Sequence, residues 1–272
     1  MLGASVALST LSGCAFGSLQ ARPGSLESVE DPQLAFAIAM RAFYARDWDE
    51  AKAMLGEVRK LYPNSRYARS AELRLADVEL AQDKYGEASN LFREFIQNHK
   101  NDPDVEYAGY KLAKALFLDI DDTILLPPLE ERDQATSTEA YRDIRKYLRD
   151  FPSSPYAEEV RYMLEVVTGR LFRHHLYVAR YYLRSDNFGA AVARIDFAVK
   201  TYKESALVPE ALVLKGETLI KMKKNAEARE AFLAVIGQHG GPFVEAARRF
   251  IERLDELEGK GAPQPEKRPT PS

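Results

Sequence analysis

A single cysteine, Cys14, stands in the 272 residues, which excludes an internal disulfide framework and any multi-cysteine zinc site. Glycine and proline are scarce at 15 and 14 residues, and the prolines are clustered. No apolar run approaches the roughly 20 residues of a membrane-spanning helix. Neither sign of charge is in excess: 38 Lys+Arg against 41 Asp+Glu leave −3 at pH 7. That balance disfavours a nucleic-acid partner held by bulk phosphate attraction. What is present is a chain 46% hydrophobic and 29% charged, apolar enough to bury a core and too apolar for wholesale disorder. At about 150 residues per domain, its length corresponds to just under two domains.

Catalytic signatures are also missing. The chain has no G-x-x-x-x-G-K-[ST], no G-x-S-x-G and no H-E-x-x-H, so phosphate-loop, hydrolase and zinc-protease chemistry have no template. Adjacent His174 and His175 point about 100° apart on a helix and cannot chelate one metal as an i,i+4 pair does. His99 and His239 read as structural. Asp119, Asp121 and Asp122 lack the glycine and terminal glutamate of a calcium loop and read as a solvated loop face. No catalytic or metal site is expected, nor a cofactor apart from lipid on Cys14.

The two ends differ from the middle. Residues 1–13 are apolar or small and uncharged, and read as a secretory signal. Leu11-Ser12-Gly13-Cys14 has the form of a bacterial lipobox: small residues for the peptidase, then a thiol to carry diacylglycerol. Cys14 is therefore the expected lipidation site. Residues 14–31 read as a flexible tether. Residues 259–272, with four prolines and no apolar side chain larger than alanine, read as a disordered tail. The folded part is expected at 32–258.

Within it a repeat is visible. Breaks at Tyr62-Pro63-Asn64, Asn101-Asp102-Pro103 and Phe151-Pro152-Ser153 separate helix-length amphipathic segments, placing proline where one helix ends and a capping residue where the next begins. Trp48-x-x-Ala51-x-x-x-Leu55 returns as Tyr85/Ala88/Phe92 and Phe188/Ala191/Ile195, and without the aromatic as Ala140/Ile144 and Ala228/Phe232. The second-helix alanines are spaced 37, 52, 51 and 37. Small first-helix residues Ala39, Ala76, Ala113, Ala179 and Gly216 are spaced 37, 37, 66 and 37. The excesses over 37 agree between the two series, so insertions interrupt one period. The reading is all-α: a tetratricopeptide-like solenoid of about five helical hairpins. A loop insertion falls in the third hairpin, near 120–136. An extra long helix precedes the fourth, from about Ala157 to Arg184 and roughly 42 Å long.

In a tetratricopeptide register the first helices line the concave face. The small residues then place Phe36, Met40, Phe43 and Tyr44 there in the first hairpin, and Tyr110, Lys114, Phe117 and Leu118 in the third. The second is plainer, with Leu73, Asp77, Leu80 and Ala81. Aromatics on such a face would anchor an apolar or aromatic peptide. Residues exposed for that purpose would contribute little to the core; the competing reading packs these rings against neighbouring helices.

The lipobox, the tether, the five hairpins and the insertion ending Glu131-Arg132-Asp133-Gln134 together resemble the BamD family of outer-membrane assembly lipoproteins, the ComL/YfiO type. Phe151 to Tyr156 and Val178 to Tyr182 carry the resemblance further. It implies a non-catalytic scaffold, lipid-anchored in the inner leaflet of the outer membrane and facing the periplasm. The implied partners are the barrel insertase BamA through a POTRA domain, other assembly lipoproteins, and unfolded outer-membrane proteins. On this reading repeats in 32–152 receive clients and repeats in 153–258 meet the insertase. Arg194 matches a family arginine implicated in that contact. The alternative is another tetratricopeptide envelope lipoprotein, serving cell division or secretion and pilus assembly.

Overall fold

A computed structural model describes residues 26–120, 128, 130–238 and 240–259. Cys14, residues 121–127 and 129 of the third-hairpin insertion, and the proline-rich tail beyond Gly259 lie outside the described residues. Those described form eleven α-helices and no strand: α1 (Pro32–Ala45), α2 (Trp48–Leu61), α3 (Arg66–Ala81), α4 (Tyr85–Asn98), α5 (Val105–Leu118), α6 (Ala135–Asp150), α7 (Ala157–Arg184), α8 (Phe188–Thr201), α9 (Val208–Lys221), α10 (Asn225–Gln238) and α11 (Pro242–Leu257). The signature aromatics Trp48, Tyr85 and Phe188 each open a helix. Local chemistry accounts for several starts. Asp31 caps α1 through the Gln33 amide with Pro32 at the first helical position, and Asp47 and Asn187 accept from the Glu50 and Ala190 amides.

The chain divides into two compact units that meet between Val78 and Glu79, inside α3. The functional boundary expected at 152/153 falls within the second unit. In the first unit, Ala39 of α1, Ala51, Leu55 and Val58 of α2, and Ala71 and Val78 of α3 form one buried cluster. Leu26 joins it with 2% exposure. Its amide donates to Glu57 Oε2 at 2.6 Å, and the Tyr62 hydroxyl donates to the Val29 carbonyl. Residues 26–31 therefore dock on the hairpin rather than continuing the expected tether, because a buried leucine and two hydrogen bonds offset the entropy of ordering them.

In the second unit each helix from α4 onward packs on the next, and α5 touches α7 as α9 touches α11. Contacts to the next helix and the next but one are the pattern of stacked helical hairpins. The signature residues Ala88, Phe92, Ala140, Ile144, Ala191, Ile195, Ala228 and Phe232 are all at 0% exposure. Each large one contributes roughly 1.5–3 kcal/mol by leaving water. Gly216 shows why the small position is small: a Cβ there would lie 2.4 Å from the Phe232 ring. Helix α11, which the repeat pattern does not mark, covers α9 and α10 with Ala247 and Leu254 buried and Phe250 stacked 4.9 Å from Phe232. It supplies the apolar cover that a terminal repeat needs.

Candidate functional site

In the first unit, α1 carries the four expected first-hairpin residues, and burial separates them. Met40 is buried in the core. Phe36 and Phe43 are half-buried against it, Phe36 5.8 Å from the Tyr67 ring and Phe43 5.7 Å from both Tyr44 and Trp48. Tyr44 is 77% exposed. The surface is thus a fixed aromatic base, Phe43 and Trp48, carrying one free ring, Tyr44. Met40 serves packing; its place beside Ala39 turns it inward.

The third-hairpin expectation needs correction. Tyr110 is only 7% exposed. Its ring stacks 4.2 Å from Tyr156 at an interplanar angle of 7°, and its hydroxyl donates to Glu159 Oε2 at 2.8 Å. Lys114 is committed to the same cluster, bonding Glu159 Oε1 at 3.0 Å and the Tyr110 hydroxyl at 3.3 Å. Burial raises the Tyr110 pKa, helped by the bond to Glu159. For Glu159, burial pushes upward, but the bonds from Lys114 and Tyr110 outweigh it and hold the carboxyl low. Tyr110 and Lys114 therefore join α5 to α7 instead of offering a free anchor. Phe117 is half-buried and Leu118 exposed at the end of α5.

Arg194 lies in the second unit on α8, half-buried. Asp196, two residues along the chain, is taken by Lys215 at 2.6 Å, and Glu227 is taken by Lys224 at 2.9 Å. Among the described residues Arg194 has no carboxylate partner. One terminal nitrogen reaches His174 Nε2 at 3.4 Å, the guanidinium sits 6.0 Å from the half-exposed Phe197 ring, and buried Nε has no hydrogen-bond partner. His174 Nδ1 is 2.7 Å from the Glu130 carbonyl. A carbonyl only accepts, so Nδ1 carries the proton and Nε2 of the neutral ring accepts from Arg194. Behind them His175 is buried against Phe197 and Tyr202. Burial and then the charge of Arg194 lower its pKa to about 4. It stays neutral at pH 7.

The end of the insertion docks beside this group. The Glu130 carboxylate is 3.8 Å from Arg173, and Tyr177 bonds Glu131, which raises the tyrosine pKa. Asp133 Oδ1 accepts the Ala135 amide at 3.1 Å, starting α6. The role of His174 was invisible in sequence, where it stood only as one of two adjacent histidines unable to chelate a metal together. No group of three or more His, Cys, Asp or Glu among the described residues could hold a metal ion, and no described helix is long and apolar enough to cross a membrane.

Arg194 thus has no carboxylate partner among the described residues, and Tyr44 stands exposed on its aromatic base. The chain is similar to proteins with a shared name. A relative called outer membrane protein assembly factor BamD in Caulobacter vibrioides is 25% identical over 84% of this chain and 72% of its own length. Those of Pasteurella multocida and Neisseria gonorrhoeae are 26% and 24% identical, over 78% and 79% of this chain and 81% of theirs. The model of the YfiO family, described as outer membrane lipoprotein, matches residues 29–233, and the chain therefore belongs to the YfiO family.

Proposed function

We propose that this protein is a non-catalytic scaffold for assembling β-barrel proteins in the outer membrane, anchored by lipid on Cys14 and facing the periplasm from the inner leaflet. The assembly role comes from the family and from relatives named as assembly factors. Arg194 is the contact point for the barrel insertase, through a POTRA domain. The observation that carries this assignment is the half-buried guanidinium without a carboxylate partner among the described residues. Such a fork recognises an acidic side chain by paired hydrogen bonds. Unfolded outer-membrane clients are received at the first hairpin, where exposed Tyr44 stands on Phe43 and Trp48. Other assembly lipoproteins complete the complex.

The test is a titration of the purified chain against the POTRA domains of the cognate insertase. Removing one side of a desolvated charge pair costs about 2–5 kcal/mol, so Arg194→Leu should weaken binding by at least about tenfold. Arg145→Leu, on an exposed face of α6, should leave it unchanged, with both variants keeping the parent circular dichroism. Equal affinity for parent and Arg194→Leu removes the residue from the interface. For the client surface, a photocrosslinker at position 44 should label a peptide ending in an aromatic residue.

A further inference from the structure

A groove of about 590 Å³ runs between α4 and α6 above α5, wholly within the second unit. Its floor is apolar: Ile96 from α4, Val105 and Leu112 from α5, and Tyr147 and Phe151 from the end of α6. The floor is also held in place. Gly109 lets the Tyr147 ring lie against α5, since a Cβ there would come within 2.9 Å of it. The Tyr147 hydroxyl shares a 2.6 Å hydrogen bond with Ser154 Oγ, and Phe151 packs 5.3 Å away. Nothing in this packing needs the groove to close. Its volume falls within the roughly 300–1,000 Å³ of sites that take a ligand.

The rim has the opposite sign to the molecule. The chain carries −3 overall, yet Arg93, Lys100, Arg142 and Lys146 border the groove against only Asp143 and Asp150. Both carboxylates are already engaged twice. Asp143 takes Arg93 at 2.9 Å and Arg142 at 3.3 Å; Asp150 takes Lys146 at 2.9 Å and Arg149 at 3.0 Å. Burial acts to raise the Asp150 pKa, but the bonds from Lys146 and Arg149 prevail and hold it below the usual range. Lys100 is exposed and makes no hydrogen bond or ion pair among the described residues.

We infer that this groove docks an acidic peptide segment of a partner protein, with bulky apolar side chains on the Leu112–Tyr147–Phe151 floor and carboxylates along the rim. Charge complementarity selects that occupant. Arg93, Arg142 and Lys146 are ion-paired with Asp143, Asp150 and Glu139, while Lys100 is uncommitted among the described residues. The rim therefore keeps a positive excess that would repel a basic segment. Asp143 and Asp150 interrupt the cations along α6, so positive charge is spread in separate points. Spaced points match carboxylates along a chain better than one compact phosphate headgroup, and the two aspartates can accept peptide amides. The site is separate from Arg194 and from Tyr44, and does not depend on the role assigned to either.

The experiment uses fluorescence anisotropy of the full chain with three labelled peptides, ELFELE, KLFKLK and ESSESE, and flotation with phosphatidylglycerol vesicles. ELFELE should bind with salt-sensitive affinity, while KLFKLK and ESSESE should not. Lys100→Glu removes no internal partner, so its urea midpoint should equal the parent's. An exposed charge pair is worth about 0.2–1 kcal/mol, so this variant should bind ELFELE about 1.4-fold to fivefold more weakly. Absence of ELFELE binding, equal binding of KLFKLK, or indifference to Lys100→Glu overturns the inference. Lys100-dependent flotation without peptide binding overturns it in favour of a lipid surface.

Discussion

At the scale of single residues, Tyr110 and His175 show how far a neighbour far along the chain can change a side chain's role. Tyr110 is enclosed by Tyr156 and bonded to Glu159. Tyr110→Ala should therefore cost about 3–5 kcal/mol by the measure of large aromatic truncations. Tyr110→Phe, which keeps the stack and loses the bond to a carboxylate 44% exposed, should cost only about 1 kcal/mol; urea denaturation separates the two. His175 has a folded pKa of about 4, below the unfolded value of about 6.5. The unfolded chain then binds the proton more readily, so the stability from a neutral His175 is full above pH 6.5 and falls as pH drops towards 4. Between pH 7 and pH 5 the loss should be about 2 kcal/mol. His175→Phe should flatten that slope; an unchanged slope would place the titrating group elsewhere.

At the scale of helices and turns, the period appears in the backbone as well as the side chains. Arg46, Asp83, Asp186 and Lys223 all have positive φ, between 53° and 60°. Each ends the first helix of a hairpin. The following amide bonds back to the carbonyl five residues earlier, as Asp47 to Ala42, Lys84 to Glu79, Asn187 to Tyr182 and Lys224 to Leu219. This is the left-handed helix cap that glycine usually fills. A side chain there costs about 1–2 kcal/mol, while glycine gives back roughly 0.5–1 through a freer unfolded chain. Lys223→Gly should raise stability by about 0.5–1 kcal/mol in urea denaturation. Lys223→Val should lower it, because a β-branched residue fits that conformation worst.

At the scale of the whole molecule, the decisive expectation concerns attachment. Residue 14 is the sole cysteine, so blocking its modification leaves no second thiol to carry lipid. One acyl chain gives only marginal binding, whereas several on one residue give a durable anchor. Cys14→Ala, expressed with its leader, should move from the membrane fraction to the periplasmic extract. Cells lacking the insertase contact, through Arg194→Leu in the same chain, make the release complete if partner binding retains part of it. A double variant still in the membrane fraction would show that another segment anchors the protein.

The helical repeat was legible in the amino-acid order alone. Alanines and large apolar residues four apart, returning at a period of 37 that insertions interrupt, mark a buried helix face. The breaks at Pro63, Pro103 and Pro152 fall between α2 and α3, α4 and α5, and α6 and α7. Helix α7 was legible for the same reason, at Ala157–Arg184. Such information is local, and helix formation is local. Which side chains remain free was set by the packing of segments distant along the chain. Tyr110 meets Glu159 across 49 positions and Arg194 meets His174 across 20, so periodicity places each on a face without saying what covers it. The left-handed turns were hidden because Arg, Asp and Lys occupy them. Docking of Leu26, the cover of α11 and the groove beside Gly109 also depend on distant partners. Burial is a property of the packed assembly, set by surfaces that the chain brings together only on folding.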